Sequence, residues 1–356
     1  MSSTAWHAHN SGIAKSPPTR KSKPADAAGS RTDARLGRIV RLLADHATVV
    51  VSGTKIASEI GISRSEVWRL VQQLRELGIN IGGHPATGYS LIAMPDLLLP
   101  EFLAPLLKGT IFSRHMHHYY RAGSTNDLAM SAASAGAPQG SVFLAEQQTA
   151  GRGRGAHEWH SARSMGIYGS VILRPPLPPS EVLVLSLAAG LAVRAAVREV
   201  APQLNPDLKW PNDLLFGEKK FFGILTEMKA EAMRVRHVVV GIGINVNQSS
   251  FPSELRGIAT SLRQETGSEW PRVELCAALL KSLDREYRNL LENPDAHQDI
   301  LRRFQERSST VRGCRVQIEE NGSFEGVTEG LDPRGFLQVR TDAGLQTVLS
   351  GTVRPK

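Results

Sequence analysis

Gly151, Gly153 and Gly155 alternate with Arg152 and Arg154 at the end of the stretch Ala145-Glu146-Gln147-Gln148-Thr149-Ala150-Gly151-Arg152-Gly153-Arg154-Gly155, shortly before Trp159. Glycines this dense do not form the interior of a stable helix or strand. Two arginines carried on such a loop can fold over an anion and clamp it with several N–H donors. The competing reading is an exposed loop with incidental charge. The loop has neither the Gly-Lys-Ser/Thr of a P-loop nor the glycine spacing of a dinucleotide fingerprint.

Three further clusters follow the same logic. Gly123-Ser124-Thr125-Asn126-Asp127 stands before a helical stretch. It reads either as an ordinary N-cap or as hydroxyls, an amide and helix N-terminal N–H groups suited to a small polar head. In Lys209-Trp210-Pro211-Asn212-Asp213, Pro211 ends a strand and leaves Lys209 at its terminus, where sites on α/β sheets often lie. The alternative is a surface lysine beside a turn. In Gly241-Ile242-Gly243-Ile244-Asn245-Val246-Asn247, alternation sends Ile242, Ile244 and Val246 to a core. Gly241, Gly243, Asn245 and Asn247 then share the other face, where glycine lets a ligand approach the backbone, unless the segment is simply a bulged core strand.

Other chemistries find less support. His115, His117 and His118, and the run His157-Glu158-Trp159-His160, lack the His-Glu-x-x-His spacing and an evident third ligand, so no metal site is expected. No Gly-x-Ser-x-Gly marks a hydrolase. The two cysteines, Cys276 and Cys314, are far apart, which argues against a disulfide framework and fits a reducing cytoplasm.

The elements that must position these clusters fall into segments. Residues 1–31 are rich in Ser, Pro, Lys and Ala without a signal-peptide core, and read as a disordered basic tail. Residues 32–95 begin with a helical apolar pattern at Leu36, Ile39, Val40, Leu42 and Leu43. A short helix over 54–60 closes at Gly61, and Ser63-x-x-Glu66 is a capping box for the next helix, which stops at Gly78. With a hairpin over 79–92, this is a winged helix-turn-helix. Arg64, Ser65, Trp68 and Arg69 lie off the apolar face and could reach DNA, unless that face is merely solvated.

Residues 111–305 alternate strand-like and helical stretches, an α/β pattern holding all four clusters. Residues 310–356 read as a meander of short strands, a small β-barrel, with turns at Asn321-Gly322, Asp332-Pro333-Arg334-Gly335 and Asp342-Ala343-Gly344. No apolar run reaches the roughly 18–20 residues of a membrane span. Net charge is +8, and residues 1–50 hold eight Lys/Arg against three Asp, a balance that suits a polyanion such as DNA.

In this order, the four clusters resemble the biotin–protein ligase family. Phe222-Gly223-Ile224-Leu225-Thr226-Glu227 also matches its Gly-Ile-Leu-x-Glu segment, and the resemblance runs from about Leu36 to the C-terminus. The two terminal domains resemble the bifunctional class, which also represses biotin synthesis genes. The resemblance implies a class II synthetase-like catalytic domain and a C-terminal SH3-like barrel. It implies biotin, ATP and Mg2+ as reactants and cofactor, a biotin carboxyl carrier protein and operator DNA as partners, a ligand-linked homodimer, no membrane, and a cytoplasmic location.

Carried over residue by residue, the resemblance implies that Ser124, Thr125, Asn126, Gln148, Arg152, Gly153, Arg154 and Lys209 contact biotin. Lys209, Arg152 and Arg154 would act on the reacting groups. Gly151, Trp159, Asn212, Asp213 and Asn245 would contact ATP or the adenylate, and Asp213 is also a candidate base for the second step. The loop departs from the family at Gly155, Ala156 and Glu158, where more positive charge is usual. Two other readings remain: a lipoate or octanoate ligase sharing the fold, and a ligand-sensing transcription factor without ligase activity.

Overall fold

Helix α1 (Ala25–Asp45) opens the described chain, which comprises residues 25–93, 95–319 and 323–356 of a computed structural model. The expected tail therefore divides. Residues 25–31 belong to α1, because Ala25, Ala27 and Ala28 extend helical propensity upstream of the apolar stripe, while residues 1–24 lie outside the described residues.

Helix α2 (Gly53–Ile60) is capped by Ser52, whose hydroxyl accepts from Lys55 N–H, and it ends at Gly61, whose φ of 74° suits a residue without Cβ. Helix α3 (Arg64–Glu76) is capped by Ser63, which accepts from Glu66 N–H at 3.2 Å. The reciprocal half of the expected capping box is missing. The Glu66 carboxylate takes two bonds from Arg69 instead, at 2.7 and 2.9 Å, since a charged donor outcompetes a neutral N–H. Strands β1 (Ile81–His84) and β2 (Gly88–Leu91) form the antiparallel wing. Arg75 pins the wing to α3 by donating to Ile81 O at 3.0 Å and Gly83 O at 2.8 Å. Leu36, Ile39, Ile56, Val67, Leu70 and Leu74 bury fully in this module's own core.

A linker and helix α4 (Pro100–Leu106) lead into the central domain. Its elements are β3 (Met116–Tyr119), α5 (Thr125–Ser134), β4 (Val142–Ala145), β5 (Gly166–Leu173), α6 (Leu183–Val200), β6 (Asp207–Lys209), β7 (Asp213–Phe216), β8 (Lys219–Glu231), β9 (Arg234–Asn245), α7 (Leu262–Thr266), α8 (Arg272–Glu292) and α9 (Ala296–Glu306). The strands form one seven-stranded sheet in the order β3-β4-β5-β9-β8-β7-β6. Only β3 and β4 pair in parallel; the other pairs are antiparallel, and successive hairpins join β6 to β9. Helix α5 covers one face, packing Ala129 and Ala133 on Phe143, Ile172 and Val239. Helices α6 and α8 cover the other.

One helical stretch, Pro179–Val200, is long and apolar enough on average to cross a membrane although Glu181, Arg194, Arg198 and Glu199 interrupt it, and most of it is buried inside the protein. Its small residues Ala188, Ala189, Gly190 and Ala192 are buried against the sheet and neighbouring helices, so its apolarity serves the core.

Strands β10 (Arg312–Glu319), β11 (Ser323–Leu331), β12 (Leu337–Thr341), β13 (Gly344–Val348) and β14 (Thr352–Pro355) form a five-stranded antiparallel sheet in the order β13-β12-β11-β10-β14. The expected turn at Asn321-Gly322 lies outside the described residues. This sheet docks on the central domain through Trp210, whose buried indole N–H donates to Gly335 O at 2.9 Å.

Candidate ligand-binding site

A cleft of about 440 Å3 gathers members of all four sequence clusters. It is lined by Ser124, Thr125 and Asn126, by Gln148, Arg152, Gly153, Arg154 and Trp159, by Asn212, and by Gly241 and Gly243. Lys220, Gly223, Ile224 and Leu225 complete the wall.

One end is built by the start of α5. Ser124 caps the helix, accepting from Asp127 N–H at 3.5 Å, so the N-cap reading is correct as far as it goes. Ser124, Thr125 and Asn126 are nevertheless buried against the sheet rather than left in solvent. Gln148 Oε1 accepts from Thr125 N–H at 2.8 Å and from its hydroxyl at 3.1 Å. Asn126 donates to Leu225 O at 3.1 Å and to Glu227 Oε2 at 2.8 Å, and accepts from the Ser170 hydroxyl at 2.6 Å. A buried amide held this fully keeps one orientation.

The floor is strand backbone. Gly223 and Gly243 are direct cross-strand partners, and Gly241 lies opposite Ser170 and Leu225. A Cβ on Gly241 would overlap the Asn126 amide, and one on Gly243 would meet the Trp159 ring at 2.5 Å. Here the glycines admit the Asn126 and Trp159 side chains close to the backbone, while Ile242, Ile244 and Val246 enter the core as expected.

Positive charge rims the cleft. Arg152 reaches two carboxylates, Asp127 at 2.6 Å and Glu227 at 2.9 Å. Arg154 donates to Asn212 Oδ1 at 3.4 Å. Lys220 pairs with Asp213 at 2.7 Å, and its ammonium lies 5.6 Å from the Trp159 ring centre.

Lys209, expected to be central, does not line the cleft. Leu208 and Trp210 take the core face of β6, so alternation turns Lys209 to the same sheet face as its cross-strand partner Asp213 and, beyond it, Gly223 and Gly243, beside the cleft but outside its lining. Burial lowers the Lys209 pKa from its ordinary value; Asp213 opposes that shift, and Lys220 and Arg354 add to it. Lys220 is the lysine that lines the cleft. Gly151, Asp213 and Asn245 are also absent from the lining. Gly151 sits beneath the Trp159 carbonyl, Asp213 holds Lys220, and Asn245 is buried, accepting from Gln248 at 3.1 Å.

Lys220, Ser170, Asp127 and Glu227 were not recognised as site residues from sequence. Glu227 and the glycine-bearing segment of β8 were visible as a word, and Lys220 stands three residues before Gly223. Strict alternation, however, would put Lys220 on the core face with Phe222 and Ile224. A bulge at Phe221 shifts the register between β7 and β8 and turns Lys220 to the cleft.

The histidines have other work. His117 stacks on Phe143 at 4.7 Å, and His118 lies 3.1 Å from Glu146. Among the described residues no group of three or more His, Cys, Asp or Glu could hold a metal ion. On α3, Arg64, Ser65, Trp68 and Arg69 are all exposed beside the wing; Arg64 donates to Pro85 O at 3.1 Å, and Arg69 is paired with Glu66.

Trp159 lies across the cleft with its indole N–H buried and without a hydrogen-bond partner. A ligand that fills the cleft must repack this ring. Biotin with ATP is therefore expected to change the tryptophan emission of the chain, and Trp159→Phe to remove that change. An unaltered signal in the variant would assign the response to another of the five tryptophans.

Residues 119–245 match the family described as "Biotin/lipoate A/B protein ligase family", residues 312–354 match "Biotin protein ligase C terminal domain", and residues 35–90 match "HTH domain". The chain is 36% identical over 318 residues to "Bifunctional ligase/repressor BirA" of Bacillus spizizenii, covering 88% of this chain and 97% of that one. It is 27% identical over 310 residues to the protein of the same name from Escherichia coli, covering 85% and 92%. Among solved structures it resembles "Biotin protein ligase from Aquifex aeolicus in complex with biotin and ATP", with a TM-score of 0.59 and 29% identity, covering 68% of this chain and 100% of that one.

Proposed function

This chain belongs to the biotin–protein ligase family of the bifunctional ligase/repressor type, and from that premise we propose how its residues act. The enzyme joins biotin to ATP as biotinyl-5′-AMP and passes the biotinyl group to a lysine of a biotin carboxyl carrier protein. The observation that carries this reading is the cleft itself: one small, glycine-floored pocket with a fixed amide end and a rim of Arg152, Arg154 and Lys220.

In the first step the biotin carboxylate attacks the α-phosphorus of ATP and pyrophosphate leaves. A carboxylate is ionised at neutral pH, so this step needs no general base. It needs two anions brought together, and Lys220 with the two arginines supplies the countercharge. Asp213 holds the Lys220 ammonium at 2.7 Å, which makes it an orienting group rather than a free base. Ser124, Thr125, Asn126 and Gln148 receive the polar head of biotin. Asn212 and Trp159 stand where the adenylate extends, and Arg152 leaves Asp127 and Glu227 when the loop closes. In the second step the acceptor amine attacks the acyl carbon and AMP leaves.

Mg2+ would be carried on the ATP phosphates rather than by a protein ligand cluster. The donor set fits that route, since the carboxylates at the mouth, Asp127 and Glu227, already hold Arg152 and form no three-ligand cluster. Bound there, the ion would neutralise phosphate charge.

The five-stranded C-terminal sheet is read as a small SH3-like barrel, and the central sheet with its helices as the class II synthetase-like catalytic domain. A ligand-linked homodimer is supported by β8, whose pairing with β7 ends at Gly223, leaving that side of residues 226–231 without a partner strand among the described residues. The chemistry belongs in the cytoplasm, where ATP and carrier protein meet.

Incubation with biotin, Mg-ATP and a carrier domain tests the ligase directly: one acceptor lysine gains a biotinyl group. Lipoate offered alongside tests the related acyl ligase. Folded protein that labels nothing would leave only the sensing role.

The exposed face of α3 and the wing make the same protein a repressor. Arg64→Ala is expected to weaken binding to duplex DNA from upstream of biotin synthesis genes and to lower the salt slope by about one. Arg69→Ala should cost less, because Glu66 already engages its guanidinium. Anisotropy titrations across salt concentrations check both, and an unchanged slope in Arg64→Ala would remove that residue from the phosphate contacts.

A further inference from the structure

The most deeply buried charges outside the cleft lie where the winged helix-turn-helix hands the chain to the central domain. Arg272, fully buried at the start of α8, meets Glu146 Oε2 at 2.9 Å and Asp96 Oδ2 at 3.0 Å, and donates to Gly166 O at 2.9 Å. It also donates to Asp96 O. Glu146, 1% exposed, accepts from Leu98 N–H at 2.9 Å and from His118 Nε2 at 3.1 Å. Burial pushes the Glu146 pKa up, but Arg272 and His118 outweigh it and hold the value at about 2.

Two features make Glu146 more than a core ion pair. Asp96 and Leu98 belong to the linker between β2 and α4, the route from the DNA-binding module. Glu146 also stands at the base of the glycine/arginine loop: its carbonyl accepts from Ser164 N–H at 2.9 Å, so the loop leaves at Glu146 and returns to it. Ser164 holds a φ of 53°, a left-handed conformation uncommon for a side-chain-bearing residue. Beside it, Arg163 reaches the last turn of α3, donating to Glu76 O at 3.5 Å.

We propose that Glu146 is a positioning residue that couples closure of the ligand loop to the linker of the DNA-binding module. The coupling rests on the reading of that loop as the biotin and adenylate clamp. Its physical basis is the burial of Arg272 and Glu146 at the centre of the cluster. Water cannot replace a partner lost at a buried carboxylate, so breaking such a pair leaves an uncompensated buried charge. The linker and the loop base therefore shift together, and a ligand that selects one loop position selects one linker position.

The test is hydrogen–deuterium exchange and calorimetry on the full chain. In the wild type, biotin with ATP is expected to protect residues 151–163 and, with them, residues 95–99. Asp96→Ala removes the partly exposed end of the cluster and leaves the Arg272–Glu146 pair, so the chain folds. In that variant saturating ligand still protects the loop but no longer the linker, and the biotin Kd rises about fivefold or more. Glu146→Gln keeps an acceptor for Leu98 N–H but loses the charge, and shows the same uncoupling more strongly; if it does not fold, Asp96→Ala decides alone. Wild-type linker protection and biotin affinity in Asp96→Ala, even with a lowered melting temperature, would reduce the cluster to a structural pin and overturn the proposal. Failure of the wild type to bind biotin would instead overturn the reading of the loop, before any variant is compared.

Discussion

Lys220→Ala is expected to slow adenylate formation by roughly 10²–10³-fold, the usual cost of removing one well-aimed electrostatic group from a reacting centre. The ammonium lies in the cleft wall, is held by Asp213 at 2.7 Å, and is covered by the Trp159 ring. Burying two reacting anions without it leaves their repulsion uncompensated. Lys209→Ala is the informative comparison. Lys209 belongs to the more conspicuous sequence word and shares the sheet face of the cleft through its partner Asp213, but Lys220 is the lysine in the lining, so the loss of Lys209 should be the smaller. Biotin-dependent exchange of pyrophosphate into ATP reads the first step alone. A larger defect in Lys209→Ala than in Lys220→Ala would restore Lys209 to the mechanism. Because Lys220 is partly exposed, with a side-chain exposure of 36%, its truncation leaves the core intact.

Gly241→Ala has the second large effect. The added methyl would overlap the Asn126 amide, which is 4% exposed and holds Leu225 O, Glu227 and Ser170 together. Overpacking of this kind costs about 1–3 kcal/mol of stability. Asn126 must also leave its partners, so the fixed end of the cleft is lost. Biotin affinity is expected to fall at least about tenfold, or 1.4 kcal/mol. Gly243→Ala should be milder for stability, since the Trp159 ring it meets is partly exposed and can move outward. Chemical unfolding and calorimetry separate the two effects, and wild-type biotin binding by Gly241→Ala would show that Asn126 does not set the pocket.

Much of the fold was legible because it is written locally. Ser52, Gly61 and Ser63 cap and stop helices through their own side chain or backbone, and the winged module follows from them in order. Strand β5 belongs to the strand-like stretches legible in 111–305 because an apolar run buried on both faces needs no partner to be recognised. Strand β3 was hidden among histidines, and α4 and α9 lie in stretches that drew no expectation. The Glu66 half of the capping box failed because Arg69, a residue outside the motif, competes for the same carboxylate.

The sequence by itself determined the chemistry. Its four clusters, read in order, pointed to ligation of biotin through an adenylate, and they named Ser124, Thr125, Asn126, Gln148, Arg152, Gly153 and Arg154, all of which meet in one cleft. Only the tertiary structure, through the folded register, decided that a second lysine, Lys220, enters the lining of that cleft. Motif and alternation are one-dimensional, and a single bulged residue, Phe221, reverses the face of every position before it. The same limit hid the Glu146–Arg272 cluster. Its partners Asp96, His118 and Arg272 are scattered through the chain, and burial is what makes their charges meet.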